Sequence, residues 1–130
     1  MEYNTLTEIE ENIGKAIVHA AFNVHNELGP GLLERIYEVC LAHELTKAGF
    51  SVKRQVEIPI VYDGLIFNEG LRLDLLVNNT VIVELKAIEI VNPLWKAQVI
   101  SHLKLTDLRL GYLINFNVPL IKQGISRFIV

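Results

Sequence analysis

The chain has a single cysteine, Cys40, and that scarcity removes several kinds of chemistry at once. One thiol makes no intrachain disulfide and cannot supply the clustered cysteines of a zinc finger or an iron–sulfur site. Its neighbours Tyr37, Leu41 and Leu45 suggest a buried, inert thiol. The four histidines, His19, His25, His43 and His102, show no H-E-x-x-H or other zinc spacing. Any metal must then be held by carboxylates, and oxygen donors point to Mg²⁺ or Mn²⁺. No apolar run reaches the ~18 residues that a bilayer-spanning helix needs, so no membrane partner is expected. Met1-Glu2-Tyr3-Asn4, followed by Glu8, Glu10 and Glu11, is acidic where a signal peptide is basic and then apolar, so a cytoplasmic protein is the expectation. An excess of positive charge is missing too: the net charge is −3. The bulk charge therefore permits a nucleic-acid partner without predicting one.

What is present is apolar substance. Of 130 residues, 51% are hydrophobic and only 21% charged, which describes one packed globular domain over residues 1–130 and excludes a disordered segment. Ile9, Ile13, Ala16, Ile17, Ala20, Val24 and Leu28 recur at helical spacing behind a capping box, Thr7 with Glu10, and predict a helix over residues 6–28. Gly29-Pro30-Gly31 ends it, and a second helix is expected over about 32–48, stopping at Gly49. Residues 51–62 alternate as a strand in which Pro59 marks an edge or a bulge. Asp63-Gly64 is a turn signal, residues 71–77 and 81–87 read as strands, and Asn92-Pro93 opens a helix reaching about Leu105. Strands over 109–116 and 125–130 complete an order αα-βββ-α-β(β). The helical crossover requires the third and fourth strands to be parallel within a mixed sheet.

The informative residues are charges placed where the pattern asks for apolar side chains, since burying them is costly without compensation. Glu34 is one: helical spacing sets it with Tyr37, Leu41, Leu45 and Ala48, in the middle of the core-facing arc. A first-turn carboxylate stabilised by the helix dipole is the alternative. In Leu71–Val77, alternation puts Arg72, Asp74 and Leu76 on one face, and in 81–87 it puts Ile82, Glu84 and Lys86 together. A three-residue loop, Asn78 to Thr80, sets Val77 opposite Val81 and therefore Asp74 opposite Glu84. Two carboxylates at that range repel unless a divalent cation lies between them. A two-residue loop would send Glu84 to the other face, and an ion pair at a sheet edge would account for Glu84 and Lys86 without a metal. On the third helix, Gln98 and His102 fall on a sheet-facing side with Leu94, Trp95 and Leu105. Gln98 would hydrogen-bond Glu84 or a substrate phosphate, or be a satisfied core amide; His102 would be a packed histidine or a ligand.

Gly31-Leu32-Leu33-Glu34-Arg35-Ile36-Tyr37 resembles the signature of the GxxExxY proteins, a group within the PD-(D/E)XK nuclease superfamily. The likeness continues through Arg54-Gln55, Arg72-Leu73-Asp74, Val83-Glu84-Leu85-Lys86, Ala97-Gln98 and Leu113-Ile114-Asn115-Phe116. It implies a restriction-endonuclease-like α/β fold, a mixed β-sheet flanked by helices. It also implies that Asp74 and Glu84 bind Mg²⁺ or Mn²⁺ with the Leu85 carbonyl, that Glu34 completes the shell directly or through water, and that Lys86 orients or deprotonates the attacking water. Gln98 and position 102 resemble a Q-x-x-x-Y motif whose pair contacts DNA near the metal, with His102 in place of the Tyr.

The expected function is hydrolysis of phosphodiester bonds in DNA or RNA, with Glu34, Asp74, Glu84, Lys86 and Gln98 carrying the chemistry. Arg54, Arg72, Gln98 and His102 would touch the nucleic acid. A nuclease should also have Lys53, Arg54, Arg72, Lys96 and Lys104 fringing its metal cleft. The rival is a non-catalytic binding or scaffold module that keeps the fold, and a hydrolase of small phosphate esters is a third reading. The apolar surplus would tolerate a homodimer.

Overall fold

Periodicity and turn chemistry become structure in a computed structural model that describes residues 5–130; the start Met1-Glu2-Tyr3-Asn4 lies outside the described residues. In chain order the elements are α1 (Glu8–Leu28), α2 (Glu34–Lys47), β1 (Val52–Tyr62), β2 (Leu65–Val77), β3 (Val81–Lys86), α3 (Leu94–Thr106), β4 (Leu110–Asn115), a 3-10 turn (Ile121–Gln123) and β5 (Ile125–Ile129). The strands form one five-stranded sheet in the order β1-β2-β3-β4-β5. Every neighbouring pair is antiparallel except β3 and β4, which α3 joins by a parallel crossover. This is the expected restriction-endonuclease-like mixed sheet flanked by helices.

Two apolar layers lie on opposite faces of the sheet. Ile13, Ile17, Ala21 and Val24 of α1 pack with Tyr37, Leu41 and Leu45 of α2 against Leu75, Val77, Val83, Leu85, Tyr112 and Ile114. Trp95, Val99 and Leu103 of α3, spaced four apart, cover Leu73, Leu76, Ile82 and Leu113. The capping box forms as expected: the Thr7 hydroxyl accepts from the Glu10 N–H at 3.0 Å, and the Glu10 carboxylate accepts from the Thr7 N–H at 2.7 Å. At α3 the Asn92 side chain accepts from the Leu94 N–H at 2.9 Å, so Asn92-Pro93 does open the helix. Cys40 is half-buried and packs against the first layer as a free thiol.

Several expectations shift. Glu34, placed in the core-facing arc by its spacing, is exposed at the first position of α2, because the buried arc runs through Tyr37, Glu38, Leu41, Ala42 and Leu45. Gln98 is also exposed, since the arc of α3 is centred on Trp95, Val99 and Leu103 and leaves Leu94 and Leu105 outside. The stretch after Asp63-Gly64 is strand: both turn residues take positive φ (54° and 73°), the geometry of a tight hairpin, and pairing continues through Tyr62↔Leu65, Val61↔Ile66 and Ile60↔Phe67. The register shifts between Ile58 and Ile60, so Pro59 marks a bulge on an edge strand.

The alternation expected along β2 is broken. Leu73 packs with Leu76 under α3, whereas Leu75 belongs to the opposite layer. Residues that are two apart in a regular strand share a face, so the ribbon turns over at Asp74, and Arg72, Asp74 and Leu76 do not form one regular row.

Gly14, in the middle of α1, is required by close approach: a Cβ there would collide with the Tyr112 hydroxyl. An alanine would gain up to ~1 kcal/mol in helix propensity, while overpacking costs about 1–3 kcal/mol. Gly14→Ala is therefore expected to destabilise the protein by ~1 kcal/mol in urea denaturation, and the same change in a Tyr112→Phe background to be neutral or stabilising.

Candidate metal centre

The centre is assembled at the end of β3, where the sheet stops being regular. The three-residue connection Asn78–Thr80 holds, and β2 and β3 pair as Val77↔Val81, Leu76↔Ile82 and Leu75↔Val83. The next step would pair Asp74 with Glu84, but the ladder ends one step earlier. Asp74 Oδ2 instead accepts the Leu85 N–H at 2.8 Å, so a side chain replaces a backbone carbonyl as the partner. An extended residue presents its N–H and C=O to the same neighbouring strand, which directs the Leu85 carbonyl toward Asp74 as well.

Glu84 is buried and its Oε1 lies 2.8 Å from His102 Nδ1. Its partner on α3 is thus His102, and Gln98, the expected one, stands one turn away at the surface. The carboxyls of Asp74 and Glu84 are close enough for hydrogen bonding when one is protonated. Burial first, and then the charge of Glu84, push the Asp74 carboxyl up to about 6; the Leu85 N–H and the Lys86 ammonium pull the other way. Glu34 is raised as well, by partial burial and then by the charge of Asp74, with Lys86 opposing and Glu38 adding. These mutual influences join Glu34, Asp74, Glu84 and Lys86 into one electrostatic neighbourhood, drawn from α2, β2 and β3.

Each member has its own support. The Tyr37 hydroxyl donates to the Gly29 carbonyl at 2.6 Å and accepts from the Leu32 N–H at 3.0 Å, while its ring stacks on Phe116 with centroids 4.5 Å apart. That brace fixes the loop that delivers Glu34 to the start of α2. Lys86 lies opposite Asn115 in the β3–β4 register, and its carbonyl accepts the Phe116 N–H at 2.9 Å. Buried Asn115 also bonds the backbone of Ile88 in both directions (2.9 and 3.3 Å), which fixes the chain just beyond Lys86. The Lys86 ammonium stands 5.4 Å from the centroid of the Trp95 ring.

Besides His102, two more of the expected substrate-binding residues have partners within the protein. Arg54 contacts buried Glu38 at 2.9 and 3.0 Å, and Arg72 approaches Glu57 at 3.4 Å. Lys53, Lys96 and Lys104 are exposed. The helical pattern overlooked Glu38, although it sits beside Tyr37 and three residues before Leu41, in the middle of the buried arc.

The donor set is one of hard oxygens, and two carboxylates in mutual repulsion suit a divalent cation. Among the described residues no three His, Cys, Asp or Glu side chains already stand together as a ligand cluster. Three grooves flanking α1 contain none of Glu34, Asp74, Glu84 or Lys86. Among the described residues no helix is long and apolar enough to cross a membrane. No curated protein and no solved structure gives a significant match to this sequence. The family model of the PD-(D/E)XK nuclease superfamily matches residues 11–128, from the second turn of α1 to the end of β5 and across every residue of the centre. The chain belongs to the PD-(D/E)XK nuclease superfamily.

Proposed function

We propose that this protein is a nuclease that hydrolyses phosphodiester bonds of DNA or RNA with Mg²⁺ or Mn²⁺. The observation that carries the reading is the meeting of the Asp74 and Glu84 carboxyls where the β2–β3 ladder opens, with Lys86 two residues beyond Glu84. Asp74, Glu84 and the Leu85 carbonyl would hold the cation, with Glu34 completing the shell directly or through a water. When bound, the cation supplies a lowered water pKa and neutralises charge gathering on the phosphate. Lys86 orients the attacking water and helps remove its proton. His102 holds one oxygen of Glu84 and so leaves the other to face the centre. Gly31, Glu34 and Tyr37 support a place in the GxxExxY group, since the Tyr37 brace links that glycine-bearing loop to the glutamate.

One observation favours a second reading, a non-catalytic module that binds nucleic acid or another partner. Arg54 and Arg72, two of the residues expected to touch the nucleic acid, are engaged by Glu38 and Glu57. Calorimetry separates the two: Mn²⁺ should bind wild type and fail to bind Asp74→Asn, and no binding to wild type, even with a nucleic-acid fragment present, favours the module. For Lys86→Ala, cleavage of DNA or RNA should fall by about 10²-fold or more, while Mn²⁺ affinity stays within about twofold. Equal loss of both would give Lys86 a structural role.

Asp74 also sets a pH dependence. Its carboxyl binds a proton up to about pH 6 in the folded chain and only to about 3.8 when unfolded. Between those values the folded state holds more protons, so metal-free stability falls as pH rises from ~4 through 6 and stays lower above. Two units would be ~3 kcal/mol; partial solvent access reduces this to roughly 1–2 kcal/mol. With chelator present, Asp74→Asn should therefore be more stable than wild type by about 1–2 kcal/mol at pH 8 and equal to it below pH ~4, as read by urea denaturation.

A further inference from the structure

Next to the centre lies a buried polar cluster that the chemistry above does not use. Glu38 of α2 is almost fully enclosed, with 3% of its surface exposed. Its Oε2 accepts from Arg54 Nε at 3.0 Å and the second guanidinium nitrogen at 2.9 Å, and its Oε1 accepts from the Gln55 side-chain amide at 2.6 Å. Gln55 is a strand residue with φ of +52°, in the left-handed region that non-glycine residues rarely enter.

The position of that residue is informative. Arg54 pairs with Leu75 and Val56 with Leu73, so the missing pair between them is Gln55 with Asp74. The same step is where the ribbon reverses its faces. Arg54 and Leu75 lie on the α2 side, and Val56 and Leu73 lie under α3. A left-handed residue in one strand turns that strand relative to its neighbour, as in a bulge. Here the turn frees Asp74 from the β1 ladder and lets its carboxylate reach the Leu85 N–H. Such backbone conformations persist only where the surroundings over-determine them. The Glu38 carboxylate, gripped by both Arg54 and Gln55, does this.

We propose that Glu38, Arg54 and Gln55 are positioning residues for Asp74: α2 holds Gln55 left-handed through Glu38, and that turn directs the Asp74 carboxylate to the Leu85 amide and the centre. The same helix carries Glu34 one turn earlier, so a single element sets Glu34 directly and Asp74 indirectly. As a device for metal binding the proposal rests on the nuclease reading; as a device for placing a carboxylate it does not.

The test uses the Leu85 amide resonance in ¹H–¹⁵N spectra of the metal-free protein, which reports the Asp74 contact, together with Mn²⁺ affinity by calorimetry. Gln55 is exposed, so its variants should fold. Gln55→Val, whose branched side chain resists positive φ, should displace the Leu85 resonance, speed its hydrogen exchange and weaken Mn²⁺ binding by about 10–100-fold. Gln55→Gly, which accepts positive φ, should retain most of the wild-type amide signature. Glu38→Gln should fall between them, and Ile9→Val, an exposed change near the start of α1, should leave both readouts unaltered. An unchanged Leu85 amide in folded Gln55→Val overturns the proposal, and so does equal damage from Val and Gly. If wild type binds no Mn²⁺ while the Leu85 amide still responds to Gln55→Val and not to Gln55→Gly, the positioning holds and the metal reading fails.

Discussion

Two carboxylates on adjacent strands repel each other, and burial intensifies the repulsion by removing the water that would screen it. In this protein Asp74 and Glu84 are held in that relation, and the Asp74 carboxyl responds by keeping its proton up to about pH 6. Only a rigid frame can hold the two groups together while they are ionised, and much of the surrounding structure supplies it. The parallel β3–β4 pair anchors Glu84 and Lys86 in the middle of the sheet. The Leu85 N–H compensates part of the Asp74 charge, and Lys86 contributes opposite charge to Asp74 and to Glu34.

Around this pair the polar side chains of the interior serve as struts. Tyr37 ties the Gly29–Leu32 loop to the helix that starts with Glu34, and Asn115 ties the chain after Lys86 to the end of β4. Glu38 ties α2 to β1, and His102 ties α3 to Glu84. Among the described residues no buried side-chain nitrogen or oxygen lacks a hydrogen-bond partner. A network satisfied in this way holds its members in one arrangement, because losing any bond would leave a buried group without compensation. The frame is thus stiff where the carboxylates meet, and the centre lies outside the grooves along α1.

Much of this was legible in the sequence because it is local. Thr7 and Glu10, Asn92-Pro93, the three-residue loop Asn78–Thr80 and the apolar period of α1 each depend on residues a few positions apart, and each takes its expected form, except that Ile9, at the start of the α1 stripe, is exposed. The loop length fixed the register of Val77↔Val81, Leu76↔Ile82 and Leu75↔Val83, which leads toward Asp74 and Glu84 and stops one step short of pairing them. Asp63-Gly64 announced a hairpin, but the strand beyond it, with Asn68, Glu69 and Gly70, lacks a clear alternation; only pairing with β1 makes it extended.

Three features were decided by packing. Glu34 and Glu38 lie one turn apart on α2, and the rotation of that helix against the sheet decides which is buried and which faces the centre. Gln98 and His102 pose the same choice on α3, and the seating of Trp95, Val99 and Leu103 gives Glu84 to His102. The reversal of faces at Asp74 depends on Gln55, nineteen residues earlier, and on Glu38, earlier still. The sequence by itself determined most of the elements, their order and the placing of two carboxylates and a lysine on neighbouring strands, since side-chain period and turn length are written in neighbouring residues. Tertiary structure decided which polar groups support them, because helix rotation and strand twist are set by contacts between residues far apart in the chain.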